Sequence, residues 1–379
     1  MTAGTAFDII VIGAGIAGAS VAAELSPEAK VLLLEMESQP GYHTTGRSAA
    51  VYTPIYGPQP IRALTRASRA FFFDPPDGFA DHPLLSKRGG MFVANADQMA
   101  ALEAAYAEMG AEGELEWLDP AGVRSHQPLL REDYVAGGFL DPGCFDIDVH
   151  ALHQGYLSRF KAAGGRIATR AEVTAMTRDN DIWRITSVEG VFEAPIIVNA
   201  AGAWADHIGR LAGAEEIGLI PKRRTALIVD APEGLALDDC PLVVGIEEDF
   251  YLKPDAGRLL LSPANEDPEV PCDVQPDEMD IAICIDRIEK AFDLQIRRIE
   301  NRWAGLRSFV ADKCPVAGYS EQTEGFYWLA GQGGYGIQSA PALSRFAASQ
   351  IVGSDIPQDV LTEGLDPATL APGRLKGIT

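Results

Sequence analysis

Gly13-Ala14-Gly15-Ile16-Ala17-Gly18 stands between an apolar run and a helix-forming one, and that placement leaves few folds open to the chain. Phe7 to Ile12 (FDIIVI) is the β-branched kind of run that fills a buried parallel strand. Ala19 to Leu25 favours helix, Lys30 to Leu34 reads as a second buried strand, and Glu35 ends it twenty residues after Gly15. Glycines alone cluster in many turns that bind nothing. A strand before them, a helix after them and an acid at this distance specify a dinucleotide-binding βαβ unit. Gly13 allows the tight turn, Gly15 lets the backbone approach a pyrophosphate, and Gly18 lets the helix pack close to the strand. The helix start offers free N–H groups and a partial positive charge to phosphates. Glu35 can accept hydrogen bonds from a ribose diol and would repel a 2′-phosphate.

With 379 residues the chain exceeds one ordinary core and suits two. Its balance, 47% hydrophobic and 22% charged, is that of a globular enzyme rather than a disordered or fibrous protein. A net charge of −23 argues against nucleic acid and anionic membrane as partners, since both require a positive face. An anionic substrate then has to be drawn in by local cations. Met1 to Phe7 carries no basic residue and leads straight into a strand, so no secretory signal is expected. No apolar run reaches the length of a membrane span. Cys144, Cys240, Cys272, Cys284 and Cys314 are scattered, with no C-x-x-C pair. They read as reduced thiols of a cytoplasmic protein, not as a disulfide frame or zinc site, and no metal is expected.

FAD and a nicotinamide cofactor are separated by segments further along. Pro40 to Thr53 (PGYHTTGRSAAVYT) offers backbone and hydroxyl donors that can wrap a long cofactor, although its composition also fits a surface loop. Near the other end, the strand Gly325 to Ala330 runs into Gly331-Gln332-Gly333-Gly334-Tyr335-Gly336 and then a helix, Ser339 to Val352. A second helix start of this kind brings a positive end to the place where a reduced flavin is negative; a plain tight turn is the alternative. Ala194 to Trp204 (APIIVNAAGAW) is a buried strand that exits through small residues. It can pass beside a cofactor without a side-chain clash, or it is simply a core strand with a sharp exit. One fingerprint at the start and a glycine-rich helix entry at the end suit a single FAD lying between them.

GAGIAG, GYHTTGRSAA, VNAAGAWADHIG, DKCPVAG and GQGGYGIQ follow one another as in the glycine oxidase/D-amino acid oxidase-like FAD-dependent oxidoreductases, which the chain resembles over essentially its whole length. Within that family it looks like the bacterial D-arginine dehydrogenases, through ALTRASRAFF, PKRRTA, FYLKPDAG, SPANEDP and WAGLRSFVAD among others. The resemblance implies non-covalent FAD held by Gly13, Gly15, Ile16, Ala17, Gly18 and Glu35, and by the loop of His43, Thr44, Thr45, Gly46, Arg47, Ser48, Ala49 and Ala50. It adds Val173 against the adenine, Ala201, Gly202 and Gly305, and the turn of Gly333, Gly334, Tyr335, Gly336 and Ile337. It also implies a catalytic pocket over the flavin built from Tyr56, Arg224, Tyr251, Arg307 and Gln338. Val51, Thr53, Gly90, Leu242, Val244 and Gly334 are its further walls. No cysteine stands where a flavin-linked thiol is expected; Cys314 is the nearest.

Taken as residues alone, Lys222 to Val229 (KRRTALIV) in a strand puts Lys222, Arg224, Ala226 and Ile228 on one face, with a solvated basic run as the alternative. Arg307 lies in the apolar stretch WAGLRSF, where an unpaired guanidinium is costly. A substrate carboxylate or a structural ion pair can satisfy it. Tyr251 fits a strand aromatic and, by the resemblance, a pocket wall with its hydroxyl near the carboxylate. Tyr56, in the Pro/Gly-rich segment Thr53 to Pro60, fits a mobile gate or an exposed loop tyrosine. Two positions depart from the D-arginine dehydrogenase pattern. Gly90 stands where those enzymes have the glutamate that pairs with the substrate guanidinium, and Val51 stands where they have a histidine beside the amine. Without the acid a cationic side chain has no partner, so neutral or apolar substrates are expected.

The activity implied is that of a D-amino acid dehydrogenase of amino acid catabolism. Arg224 and Arg307 clamp the carboxylate, the Cα–H is held for hydride transfer to flavin N5, and the imine hydrolyses to a 2-keto acid and ammonia. No strong protein base is visible: His43 lies in the flavin loop, and His82, His126, His150, His153 and His207 read as surface or core residues. The electron acceptor is expected to be quinone- or dye-like rather than oxygen. The rivals are an oxidase or dehydrogenase of an N-methyl or cyclic amino acid, a 2-hydroxy-acid dehydrogenase, and a flavin-binding protein without turnover. The fold expected is α/β. A Rossmann-like FAD-binding domain is built from residues 1–78, 143–217 and 311–379. An interleaved α+β substrate domain takes 79–142 and 218–310, its mixed sheet roofing the flavin. Helices are expected at Asp97 to Met109, with Met99, Leu102, Tyr106 and Met109 on one face, and at Met279 to Arg298. Substrate side chain, chirality beyond analogy and oligomeric state are not written in these motifs.

Overall fold

The computed structural model describes residues 5–377; residues 1–4, on which part of the N-terminal expectation rests, lie outside them. Ile9–Ile12, Val31–Leu34 and Phe326–Ala330 are buried at every position, as strands covered on both faces must be. They belong to a six-stranded sheet in the order Arg166–Ala168, Val31–Leu34, Ile9–Ile12, Ile196–Asn199, Phe326–Ala330, Val316–Tyr319. Only the last strand runs antiparallel to its neighbour. The two-residue period divides the contacts. Ile9, Val11 and Leu33 face the helices Ile16–Leu25, Val149–Ala162 and Gly336–Val352, against Ala19, Phe160 and Leu343. Ile10, Ile12, Leu32 and Leu34 face a four-stranded sheet through Trp183, Ile185 and Phe192.

The strand order reverses beside Ile9–Ile12, and open α/β sheets bind ligands in the crevice outside such a switch point. The glycine fingerprint lies there. Gly13 has φ +98°, and a Cβ on Gly18 would stand 1.8 Å from the Gly13 carbonyl oxygen. Helix and loop therefore touch through bare backbone.

A nine-stranded mixed sheet forms the second layer. Asp267–Pro268, Ile220–Asp230, Arg258–Ser262, Tyr251–Asp255, Leu242–Gly245, Gly90–Ala94, Gly137–Asp141 and Glu116–Leu118 follow in order, and Asn301–Phe309 pairs with Ile220–Asp230. The helix Glu278–Ala291 covers it through Ile281, Cys284 and Ile288, against Leu227, Leu252 and Leu261. A three-stranded sheet of Val51–Tyr52, Phe145–Ile147 and Leu85–Lys87 completes the strands that bear on the site. Among the described residues no helix is long and apolar enough to cross a membrane, and all five cysteines are unpaired.

Three helix boundaries differ from the sequence expectation. The helix expected to reach Arg298 stops at Ala291, because Phe292 turns extended and bridges Leu130 while Asp293 N–H donates to the Leu129 carbonyl at 2.7 Å. Tertiary pairing overrides the apolar periodicity. The last long helix begins at Gly336, not Ser339: Ser339 N–H already donates to the Tyr335 carbonyl, and a glycine at the first position costs little. Pro341 sits inside this helix. The insert helix runs Met99–Gly110 behind a short 3-10 turn capped by Asn95 and Gln98, and it buries Leu102 and Met109 as expected.

Gly18→Ala tests the close approach. Alanine favours a helix over glycine by ~1 kcal/mol. Forcing a methyl against a fixed carbonyl costs about 1–3 kcal/mol, so the clash wins. Urea unfolding of Gly18→Ala is expected to show a lower midpoint than the parent; an equal or higher midpoint contradicts the packing described.

Candidate active site

Three cavities of ≈ 830, ≈ 970 and ≈ 970 Å³ run end to end from the switch point to the nine-stranded sheet. Gly15, Thr44, Thr45, Ala200 and Gly202 belong to both the first and the second. Ser48, Ala49, Arg224, Tyr251, Arg307 and Gly334 belong to both the second and the third.

The first cavity is lined by Gly13, Gly15, Glu35, His43, Thr44, Thr45, Val173, Ala201 and Gly202. Glu35 is buried; one carboxylate oxygen accepts from Ala14 N–H and the other from Glu37 N–H, both at 2.9 Å. Each oxygen keeps a lone pair for a ligand hydroxyl. His43 Nε2 lies 2.9 Å from Glu37 Oε1, and its ring centroid lies 4.7 Å from that of Trp204. Trp204 and His207 also line this cavity, which their sequence setting did not announce. Behind the fingerprint, buried His153 donates from Nε2 to the Ala14 carbonyl at 2.9 Å. Burial pushes its imidazole below the ordinary value, so the support is a neutral ring.

Ile16, Ala17, Arg47, Ser48, Ala49, Gly305, Gly333, Gly336 and Ile337 line the second cavity. The helices Ile16–Leu25 and Gly336–Val352 both begin here, and neither N-cap residue supplies a side-chain cap. Ile16 N–H donates to Thr45 Oγ1 at 3.0 Å. Arg47 lines the cavity, but its guanidinium donates to the Val274 and Ala304 carbonyls at 3.1 and 3.0 Å and contacts Asp273. Trp303 Nε1–H donates to the Arg47 carbonyl at 2.9 Å. Its charge ties the loop to the large sheet. Gly18 and Gly46 line none of the three cavities; a Cβ on Gly46 would meet the Gly41 carbonyl oxygen at 2.5 Å, so both serve backbone packing. Cys314 also lies outside all three, with burial pushing its thiol up.

The third cavity gathers Ala50, Val51, Thr53, Tyr56, Gly90, Leu242, Val244, Tyr335 and Gln338 with Arg224, Tyr251 and Arg307. Tyr56 is half-buried, donating its hydroxyl to Glu248 Oε1 at 2.7 Å and packing on Phe92 and Tyr335. Burial and the Glu248 carboxylate hold that hydroxyl well above its ordinary value, so it remains a donor. Gln338 Oε1 accepts from Thr53 N–H at 3.0 Å and fixes the start of the Tyr56 segment. Phe92, Asp141, Cys144, Glu248 and Lys253 are further walls that the sequence reading did not name. Lys253 was legible as the strand neighbour two residues past Tyr251. Glu248 was not: it sits in a turn at φ +54° between two other acids.

Register explains the arginine pair. Lys222 faces Arg307 and Arg224 faces Gly305 across antiparallel strands, so Arg224 and Arg307 are diagonal neighbours on one face. Arg307 Nη1 would lie 2.8 Å from a Cβ on Gly334, which only glycine leaves open. Among the described residues Arg307 has no carboxylate within salt-bridge distance. Arg224 reaches Glu266 at 3.3 Å, but its buried Nε has no partner. Burial first, and Arg307 second, pull Arg224 below the ordinary arginine value. Two converging cations in a chain of charge −23, one unpaired and one partly satisfied, make an anion site.

A glycine-and-alanine cradle, two helix starts and a buried acid at one end form a run fitted to one elongated nucleotide, and the donor set suits FAD. The family comparison agrees. Residues 8–350 match the DAO model, described as FAD dependent oxidoreductase, and the chain belongs to that family. It is 26% identical over 270 residues to mitochondrial dimethylglycine dehydrogenase of Mus musculus, covering 66% of this chain and 31% of that one. It is 30% identical over 240 residues to L-2-hydroxyglutarate dehydrogenase of Escherichia coli K12, covering 60% of this chain and 55% of that one. The chain thus spans about a third to a half of the length of these curated relatives. Glycine oxidase from Geobacillus kaustophilus superposes with a TM-score of 0.80 at 21% identity, over 96% of this chain and 99% of its own. At that identity the likeness speaks for the fold.

Asp141 supplies a pH test. Its oxygens accept from Gly143 N–H at 2.8 Å and Thr53 Oγ1–H at 3.2 Å, yet burial outweighs both and raises the carboxyl above its ordinary value. A raised folded pKa contributes stability that is complete below the unfolded value, about 3.9, and is lost as pH rises through the folded value. Asp141→Asn removes that loss. Its melting temperature relative to the parent is expected to climb between pH 4 and pH 7; a flat difference rejects the account.

Proposed function

We propose that the chain is an FAD-dependent dehydrogenase of a small, neutral or apolar D-amino acid, with a quinone- or dye-like acceptor. The observation that carries this is the pair Arg224 and Arg307, aimed into the third cavity with guanidinium donors to spare. A substrate carboxylate satisfies both in charge-assisted hydrogen bonds. Tyr251 lines the same cavity and adds a hydroxyl beside it. Fixing the carboxylate at two points restricts how the adjacent Cα–H can lie, and orientation of this kind supplies much of a rate. Tyr56, tethered to Glu248 and to Phe92 and Tyr335, closes the cavity above the substrate and excludes water. When bound, non-covalent FAD would supply the acceptor of one hydride, which carries both electrons of the oxidation.

The side-chain end of the cavity supports the neutral or apolar preference. Phe92, Val51, Leu242, Val244 and Cys144 line it. A Cβ on Gly90 would sit 3.2 Å from Cys144 Cβ, so any side chain at position 90 presses on that residue, which has to give by a few tenths of an ångström. The acids that remain are engaged, Glu248 by Tyr56 and Asp141 by Thr53 and Gly143. A 2-hydroxy dicarboxylate is the poorer reading, because its second carboxylate meets Glu248 and Asp141 and the wall's other cation, Lys253, is held by Asp146 at 2.7 Å.

Two outcomes are expected. A panel of D- and L-amino acids with an artificial acceptor gives the highest kcat/KM for a neutral, apolar D-amino acid, with D-arginine and D-lysine poor and ammonia among the products. D-arginine as the best substrate, or turnover without ammonia, overturns the reading. Arg307→Ala raises KM by about 10–100-fold, the equivalent of ~1.5–3 kcal/mol for a charged hydrogen bond, and also lowers kcat. Unchanged steady-state constants remove Arg307 from the clamp.

A further inference from the structure

Arg224 is held from behind by a carboxylate that never reaches the cavities. Glu266 Oε1 lies 3.3 Å from Arg224 Nη2, and its Oε2 lies 2.9 Å from Lys222 Nζ and 3.7 Å from Lys313 Nζ. Arg224 lines the second and third cavities, whereas Glu266 lines none of them. The carboxylate is fixed by the backbone on both sides. Ala264 turns the chain at φ +51°, Asn265 Oδ1 accepts from Thr225 N–H at 2.9 Å, and Asp267–Pro268 pairs with Lys222 and Arg223. Burial pushes the Glu266 carboxyl up, and Lys222, Lys313 and Arg224 outweigh it and hold the group below the ordinary range. The cations around it thus favour its charged form.

Resting on the clamp read above, we infer that Glu266 is a positioning residue for the substrate carboxylate: its contact holds the Arg224 guanidinium directed into the cavity beside Arg307. Two like charges on neighbouring strands in a buried setting repel. With only Lys222 and Lys313 behind it, Arg224 has no counter-charge before substrate arrives. Glu266 engages Nη2 alone, and among the described residues Nη1 makes no hydrogen bond, so substrate and Glu266 do not compete for the same donors. The pair is a specificity device for a single carboxylate: Glu266 already neutralises part of the cluster, and a second substrate anion finds less charge to meet.

The test uses the flavin-loaded protein and a plain monocarboxylate, isovalerate, titrated by the perturbation of flavin absorbance, with isovaleramide as its neutral match. Glu266→Gln keeps the shape and removes the charge. It is expected to loosen isovalerate by about tenfold, leave isovaleramide unmoved, and raise KM while kcat stays within about threefold. Glu266→Ala is expected to follow it. Isovalerate affinity within about threefold of the parent, or tighter, overturns the role assigned to Glu266; so does an equal loss for isovaleramide, which marks general damage. Arg307→Ala in the same titration separates the two readings. If it loosens isovalerate while Glu266→Gln does not, the clamp stands and Glu266 falls. If Arg307→Ala leaves isovalerate unmoved, the clamp fails and the inference built on it goes too.

Discussion

The contact between the Gly13 carbonyl and the Ile16–Leu25 helix determines where everything else in this molecule can be. With no Cβ at Gly18, the helix sits against the strand exit at a separation no other residue permits, and its first amides open onto the crevice. The acid at the end of the next strand is bonded to the same loop through Ala14 N–H, and His153 holds that residue's carbonyl from below. Sheet, helix and loop are thus one rigid piece at the point where strand order reverses. The second helix start, at Gly336, reaches the same cavity from the far end of the chain, by way of a strand laid parallel to Ile196–Asn199. The residues at both helix starts line one cavity and would hold a long anionic cofactor between them.

Charge is the second constraint. A chain carrying −23 repels anions at long range, so an anionic substrate depends on cations gathered at the site itself. The strands Ile220–Asp230 and Asn301–Phe309 gather them by register alone, which sets Lys222, Arg224 and Arg307 on one face. Arg223, on the opposite face, is absorbed by Asp280 and Glu269. The alternation that makes a strand thus parts Arg223, a structural cation, from Lys222 and Arg224, of which Arg224 lines the site and Lys222 binds Glu266 behind it.

What could be read from the sequence followed the range of the interactions. The fingerprint, the acid twenty residues on, the flanking strands and the second glycine-rich helix entry are local, and each lies where its spacing requires. The side chains implied by resemblance, from Val51 to Gln338, line one connected set of cavities. Composition had left Tyr56 open between a gate and an exposed loop residue, and it is half-buried against two aromatic rings. Glu248, Asp141 and Glu266 were not legible, because each acts across a long sequence gap: 192 residues to Tyr56, 88 to Thr53, 42 to Arg224. The helix expected to end at Arg298 failed for the same reason, its apolar period continuing past the point where Leu129 and Leu130 capture the backbone.

The third cavity also shows why selectivity need not follow the residue that is missing. Gly90 and Asp141 are opposed across the strand pair, and Cys144 lines the cavity close beside Gly90. Position 90 therefore presents bare backbone to the cavity beside the Cys144 sulfur, with no charge to draw a cation. Burial keeps the Cys144 thiol protonated and unreactive, so it acts there as a small hydrophobe. Glu248, an exposed carboxylate at the cavity, accepts from the Tyr56 hydroxyl at 2.7 Å, the bond that on the proposed reading closes the site. On the same reading, a cationic substrate side chain at that end would have to break this bond to gain a partner, exchanging the lid for an ion pair. An apolar one leaves the lid shut.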